Sequence, residues 1–181
     1  MAQTLRPRHP YNQGHHPPML IRPLHPTTDR ATVTAFFDSI ADYIRMERDA
    51  PPDATVIEEF FTDTPPGCDP AHSLRLGLFE HSTLIALAEM GFGYPESDNA
   101  YLGFLAVSEM ARGKGAGEIL FAHLETEARA RGCSAIYLAV LDANPRARAF
   151  WERQGFSLAV ANREVTLGQK TQIAHRLRKP L

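Results

Sequence analysis

The sequence predicts an α/β domain of the α+β kind, a central mixed, mostly antiparallel sheet of about six to seven strands flanked by about four helices. Three observations predict it. The run "SLRLGLFEHSTLIALAEMGFGY" at residues 73–94 alternates and breaks once, near His81 and Ser82, as two strands around a tight turn do. The apolar runs "AYLGFLAV" and "AIYLAV" bracket a helical stretch, which gives a strand, helix, strand order. With 181 residues, 44% of them hydrophobic and 22% charged, the chain is of globular composition and about the length of one domain.

In chain order, "MAQTLRPRHPYNQGHHPP" is rich in Pro, His and polar residues and lacks a period, so residues 1–18 read as a flexible tail and residues 19–181 as the domain. His15 and His16 are adjacent, which is not helical metal-ligand spacing. "MLIRPL" is a short strand stopped by Pro23 and Pro26, after which Thr27 or Thr28 can cap a helix through "DRATVTAFFDSIADYIRM". Val33, Phe36, Phe37, Ile40 and Ile44 recur there at helical spacing. "RDAPPDA" interrupts, "TVIEEFF" forms a shorter helix, and "TDTPPGCDPAH" is a loop.

After the strand pair comes "AYLGFLAV", nearly all apolar and therefore central in the sheet. The helix that follows carries Gly117, Leu120, Phe121, Leu124 and Ala128 on one stripe and stops at Gly132. "NPRARAFWERQ" has Pro145 in its first turn, Ala147, Phe150, Trp151 and Gln154 on one side, and Gly155 as its stop. Two closing strands are expected near residues 156–166 and 171–178, and no internal repeat is present.

Charge and cysteine usage narrow the function classes. Residues 38–69 hold nine acidic residues against Arg45 and Arg48, whereas residues 112–181 hold twelve basic and six acidic. Opposite signs in the two halves suit an anionic cofactor and a cationic substrate, although solvated faces produce such bias too. No apolar run is long enough to span a bilayer, nothing points to nucleic acid, and the N-terminus has no hydrophobic leader. Two cysteines, Cys68 and Cys133, without a leader argue for a reducing, cytoplasmic setting. No His, Cys and carboxylate cluster has metal spacing.

The stretch "RGKGAG" at residues 112–117 joins a central strand to a helix. Glycines there free the first helical N–H groups, which carry the positive end of the helix dipole, and Arg112 and Lys114 add charge. Arg112, Gly113, Lys114, Gly115, Ala116 and Gly117 therefore make an anion seat sized for a diphosphate. A P-loop is excluded because Gly115 follows Lys114 and Ser108 stands five before Gly113. A dinucleotide fingerprint would need glycine where Glu118 stands.

With the downstream motif the stretch becomes specific. Arg112, Gly115 and Gly117 fill [RQ]xxGxG/A, and Asn144, Ala147, Phe150, Trp151, Gly155 and Phe156 fill NxxAxx[FL][YW]xxxGF. Over residues 101–156 the chain resembles the GNAT superfamily of N-acetyltransferases. The resemblance implies that strands four and five splay apart and that acetyl-CoA is the co-substrate. Its diphosphate would lie on residues 112–117, its pantetheine arm on the edge at Leu105, Ala106 and Val107, and further contacts would come from Asn144, Phe150 and Trp151. Asn144 is also a natural helix cap before Pro145. A primary amine, on a small molecule or a protein and cationic given the acidic stretch, is the implied acceptor, attacking directly in a ternary complex. A homodimer is implied as well.

Two departures from the family pattern concern catalysis. Trp151 stands where many members carry the tyrosine that protonates the thiolate, so its expected role is packing over the core or cofactor. Tyr101 stands where some members carry a glutamate base. The candidate catalytic residues are thus Tyr101 and Glu89, the latter inside a strand, where a carboxylate is costly unless it faces a cleft. An acyl-CoA-binding sensor that has lost its chemistry is the alternative to an enzyme.

Overall fold

The computed structural model describes residues 19–181, so the tail of residues 1–18, with its His15 and His16, lies outside the described residues. The elements run β1 (Met19–Pro23), α1 (Arg30–Ser39), α2 (Ala41–Arg48), α3 (Ala54–Thr62), β2 (Leu74–Glu80), β3 (Thr83–Phe92), β4 (Asn99–Val107), α4 (Ala116–Ala130), β5 (Ala135–Leu141), α5 (Pro145–Arg153), β6 (Ser157–Leu167) and β7 (Lys170–Pro180). One 3-10 turn, Glu109–Ala111, links β4 to α4. The strands form a single sheet in the order β1-β2-β3-β4-β5-β7-β6. All neighbours are antiparallel except β4 and β5. Those two need a crossover, and α4 supplies it.

The core lies on both faces of the sheet. On one, Leu120, Phe121 and Leu124 of α4 and Trp151 of α5 pack on Ala88, Met90, Leu102, Ile136 and Leu177. On the other, Phe36 and Phe37 of α1 and Phe60 and Phe61 of α3 pack on Leu84 and Leu87. Residues of β3 thus serve both layers, as the two-residue period of a doubly covered strand requires.

The N-terminal helical region differs from the expectation in two ways. The single first helix is two, broken at Ile40 (φ −117°, ψ 25°), which raises the count to five α-helices among the described residues. Ser39 Oγ donates to the Phe36 carbonyl at 2.7 Å, a local bond that competes with helix continuation. The cap is also different. Asp29, not Thr27 or Thr28, precedes α1, and its carboxylate is spent on Arg22 (2.7 and 3.0 Å) and the His25 amide (2.8 Å). The Arg22 guanidinium holds that carboxyl below its usual range. By contrast Asp53 caps α3 directly, accepting from the Thr55 and Val56 amides.

Candidate functional site

Strands β4 and β5 pair over only four residues each, from Asn99 with Ala135 to Leu102 with Leu138. Beyond that, β4 stays with β3 as far as Val107, and β5 stays with β7 as far as Leu141. The splay expected of strands four and five is present. A β-bulge marks its start: Met90 faces Leu102 and Glu89 faces Phe104, which leaves Gly103 without a partner on β3. Bulges bend a strand and interrupt its ladder, and this one does so where β4 leaves β5.

The gap is a cleft of about 600 Å³, bordered by β4 residues 103–107, β5 residues 138–141, the start of α4, α5, and one side of α2. Leu105, Ala106, Val107, Arg112, Gly113, Gly115, Ala116, Gly117, Asn144, Phe150 and Trp151 all border it, so one cavity gathers residues far apart in the chain. Lys114 does not border it.

At the start of α4, Gly113 (φ 75°) and Gly115 (φ 85°) adopt the left-handed conformation that side chains resist. The Arg112 amide bonds the Glu109 carbonyl (3.3 Å) and the Lys114 amide bonds that of Ala111 (3.4 Å). The amides of Gly113, Gly115, Ala116 and Gly117 meet no backbone carbonyl among the described residues. Free donors at the positive end of a 15-residue helix are suited to an anion.

Arg112 departs from the sequence expectation. Its guanidinium forms a two-point pair with Asp42 of α2 (2.6 and 2.9 Å) and its Nε reaches the Val107 carbonyl (3.3 Å). It braces α2 against the end of β4 instead of offering a free charge. Hydrogen bonding to Arg112 in turn lowers the Asp42 pKa.

On α5, Asn144 Oδ1 accepts from the Ala147 amide (3.0 Å), so the capping role is realised. Trp151 is 7% exposed and meets Phe121, Phe150 and Phe156 edge-on, with ring centroids 4.7 to 5.4 Å apart. Its indole is part of the core and of the inner cleft wall. Arg146 and Arg153 also line the cleft; the sequence reading named neither.

A second cavity of about 240 Å³ shares Glu47, Gly103, Phe104 and Leu167 with the cleft and adds Glu89, Tyr101, Glu59, Asp63 and Arg48. Glu89 is 5% exposed, and its Oε1 has no hydrogen-bond partner. Its other oxygen lies over Gly103, where any Cβ would run into it. Burial raises the Glu89 pKa to about 7, while the Arg75 charge and the Gly103 amide pull it down and the Asp63 charge adds to the rise. Burial also raises the Tyr101 phenol, whose ring packs on Tyr94 (5.2 Å) and below Arg176 (5.9 Å). That phenol keeps its proton at neutral pH.

The sequence reading missed two residues of α2. Tyr43 donates to Glu47 Oε1 (3.1 Å), and both border the cleft. Glu47 is 8% exposed and its pKa is raised by burial, against the pull of Arg48 and Tyr43. The i,i+4 spacing of Tyr43 and Glu47 was a usable signal. His81, in a turn, and His123, on α4, do not border either cavity.

The model of the acetyltransferase (GNAT) family matches residues 35–156. No curated protein sequence matches the chain. Solved structures do. An acetyltransferase from Thermus thermophilus superimposes with a TM-score of 0.75 at 21% identity, covering 92% of this chain and 99% of that one. The ribosomal-protein-S18-alanine N-acetyltransferase of Escherichia coli gives 0.66 at 21% identity over 90% and 93%. The PaiA N-acetyltransferase of Thermoplasma acidophilum, in complex with coenzyme A, gives 0.63 at 19% over 91% and 99%. At these identities the likeness establishes the fold.

Proposed function

The chain belongs to the acetyltransferase (GNAT) family, whose members take an acetyl group from acetyl-CoA, and we propose that its acceptor is a primary amine, cationic before reaction, on a small molecule or a protein. The observation that carries this reading is the Glu89 carboxylate, buried with one unpartnered oxygen beside the point where β4 and β5 part.

The free amides of Gly113, Gly115, Ala116 and Gly117, beside an exposed Lys114, fit the diphosphate of coenzyme A. Backbone groups of Leu105, Ala106 and Val107, on the edge that has left β5, fit the amides of its pantetheine arm. Phe150 and Trp151 give that arm an apolar wall, and Asn144 and Arg146 border it from α5. When bound, acetyl-CoA supplies a thioester carbonyl carbon and a thiolate leaving group. Charge-assisted bonds of ~1.5–3 kcal/mol each make such a seat sufficient for micromolar affinity.

An alkylamine is almost wholly protonated at pH 7, so a nearby group must take its proton. Glu89, with a pKa of about 7, is matched to that task. It accepts the ammonium proton before attack; the neutral nitrogen then forms the N–C bond as the C–S bond breaks, and the nitrogen's second proton goes to the departing thiolate or to water. Tyr101 keeps its phenol proton and supports a positioning role. Trp151 has no acidic proton to give, and positioning, worth up to ~7–11 kcal/mol, carries the departure of the thiolate. A base so poised favours an enzyme over a mute binding module.

We further assign the protein to the cytoplasm, which the free thiols of Cys68 and Cys133 suit. The exposed edge strand β6, with Leu158 and Val160 open, suits pairing with a second copy. Free-thiol release from acetyl-CoA with a panel of polyamines, amino acids, aminoglycosides and peptide N-termini tests the activity. Turnover with at least one amine is expected; none across the panel would overturn the reading.

A further inference from the structure

The second cavity is unusual in charge. Glu47, Glu59, Asp63 and Glu89 border it, with Arg48 as the one cation of its lining among the described residues. Arg48 is already divided between two of these: its Nη2 meets Glu59 at 2.5 Å, and its Nε lies 3.6 Å from Glu47. Arg75, whose charge reaches Glu89, spends its guanidinium on the carbonyls of Phe60, Asp63 and Pro70. Two carboxylates remain without an ion pair among the described residues. Glu89 is buried at the inner wall, with Oε1 unpartnered, and Asp63 is exposed just past the end of α3.

A buried carboxylate oxygen without a donor costs free energy that a cationic ligand recovers. One ammonium does not balance this cavity. Once the reacting nitrogen has given its proton to Glu89, the nitrogen is neutral, and the carboxyl groups of Glu47, Glu59 and Asp63 still outnumber the cations Arg48 and Arg75 around them.

Resting on the amine-transfer reading above, we infer that the small cavity is the acceptor subsite and that its acceptor is a short aliphatic amine with a second positive charge. The reacting nitrogen lies at Glu89 and the distal ammonium at Asp63. Glu47, Gly103, Phe104 and Leu167 border both the cavity and the cleft, so the acceptor would reach the acetyl group past this shared boundary, from the face opposite the α4 turn. Gly103 is required there because a side chain would displace the Glu89 carboxylate.

Calorimetric titration of the full chain, with coenzyme A present, compares 1,4-diaminobutane with 1-aminobutane. The diamine is expected to bind about tenfold more tightly or better. The gap should shrink as salt rises and close to within about twofold in Asp63→Asn. Equal affinity of the two amines for the wild type overturns the inference, as does a gap that neither salt nor Asp63→Asn alters. The salt series needs no variant and decides the matter even if Asp63→Asn folds poorly. A preserved diamine preference with no thiol release from acetyl-CoA would support the subsite and remove the amine-transfer reading, so the two failures are distinguishable.

Discussion

Residues 99–102 of β4 are hydrogen-bonded to β5, whereas residues 103–107 of the same strand have left it and border the cleft. Apart from Asn99 both halves are largely apolar, and apart from Asn99 and the bulged Gly103 both remain paired to β3. What separates them is one bulged glycine and the direction in which β5 turns to follow β7. The first half holds the two parts of the sheet together. The second offers backbone groups to ligands and lies beside the buried Glu89 carboxylate of β3.

The largest effect expected from breaking that contrast is on the open side. Glu89→Gln should lower kcat/KM by ~10²- to 10⁴-fold. The wild-type pH profile should rise through about pH 7, and that inflection should vanish in the variant. Stability moves the other way. The folded pKa of Glu89 lies above its ordinary value, so its contribution to the fold is present in acid and is lost as pH rises through about 7. The loss is on the order of 3 kcal/mol, and denaturant melts at pH 8 should find Glu89→Gln more stable than wild type.

On the closed side, Ile136 is fully buried and faces Ala100 across the β4–β5 ladder. Ile136→Ala should cost about 2–5 kcal/mol in thermal or denaturant melts while leaving KM for acetyl-CoA unchanged. Gly115→Ala returns to the open side. A side chain at φ 85° costs about 1–2 kcal/mol, and the distorted turn should raise KM for acetyl-CoA roughly tenfold with little change in kcat. The smallest effect belongs to the brace. Asp42 is 60% exposed, so Asp42→Asn should cost less than about 1 kcal/mol, as measured by melting.

The same contrast explains what the sequence could reveal. Apolar periodicity located every strand and helical stretch from residue 19 onward, with α1 and α2 read as one, because each buries a face and the period records it. Periodicity could not reveal the break at Ile40, since Phe37, Ile40 and Ile44 keep the helical spacing through it. Tyr43 and Glu47, which border the cleft, lie on the helix that begins after this break. The glycine turn was legible, because positive φ demands glycine at 113 and 115. The fate of Arg112 was not: its partner Asp42 lies 70 residues away, and only the fold brings them together. Gly103 was partly legible, since a glycine inside an apolar strand signals a bulge or a close approach, and here it is both.

The central claim is that the open half of β4 and the turn before α4 hold coenzyme A. Backbone-amide chemical shifts recorded while the protein is titrated with coenzyme A test it most directly. The account predicts micromolar saturation, with the large shifts confined to residues 103–107, 113–118 and 138–147. Shifts centred elsewhere, or none at millimolar coenzyme A, would contradict it.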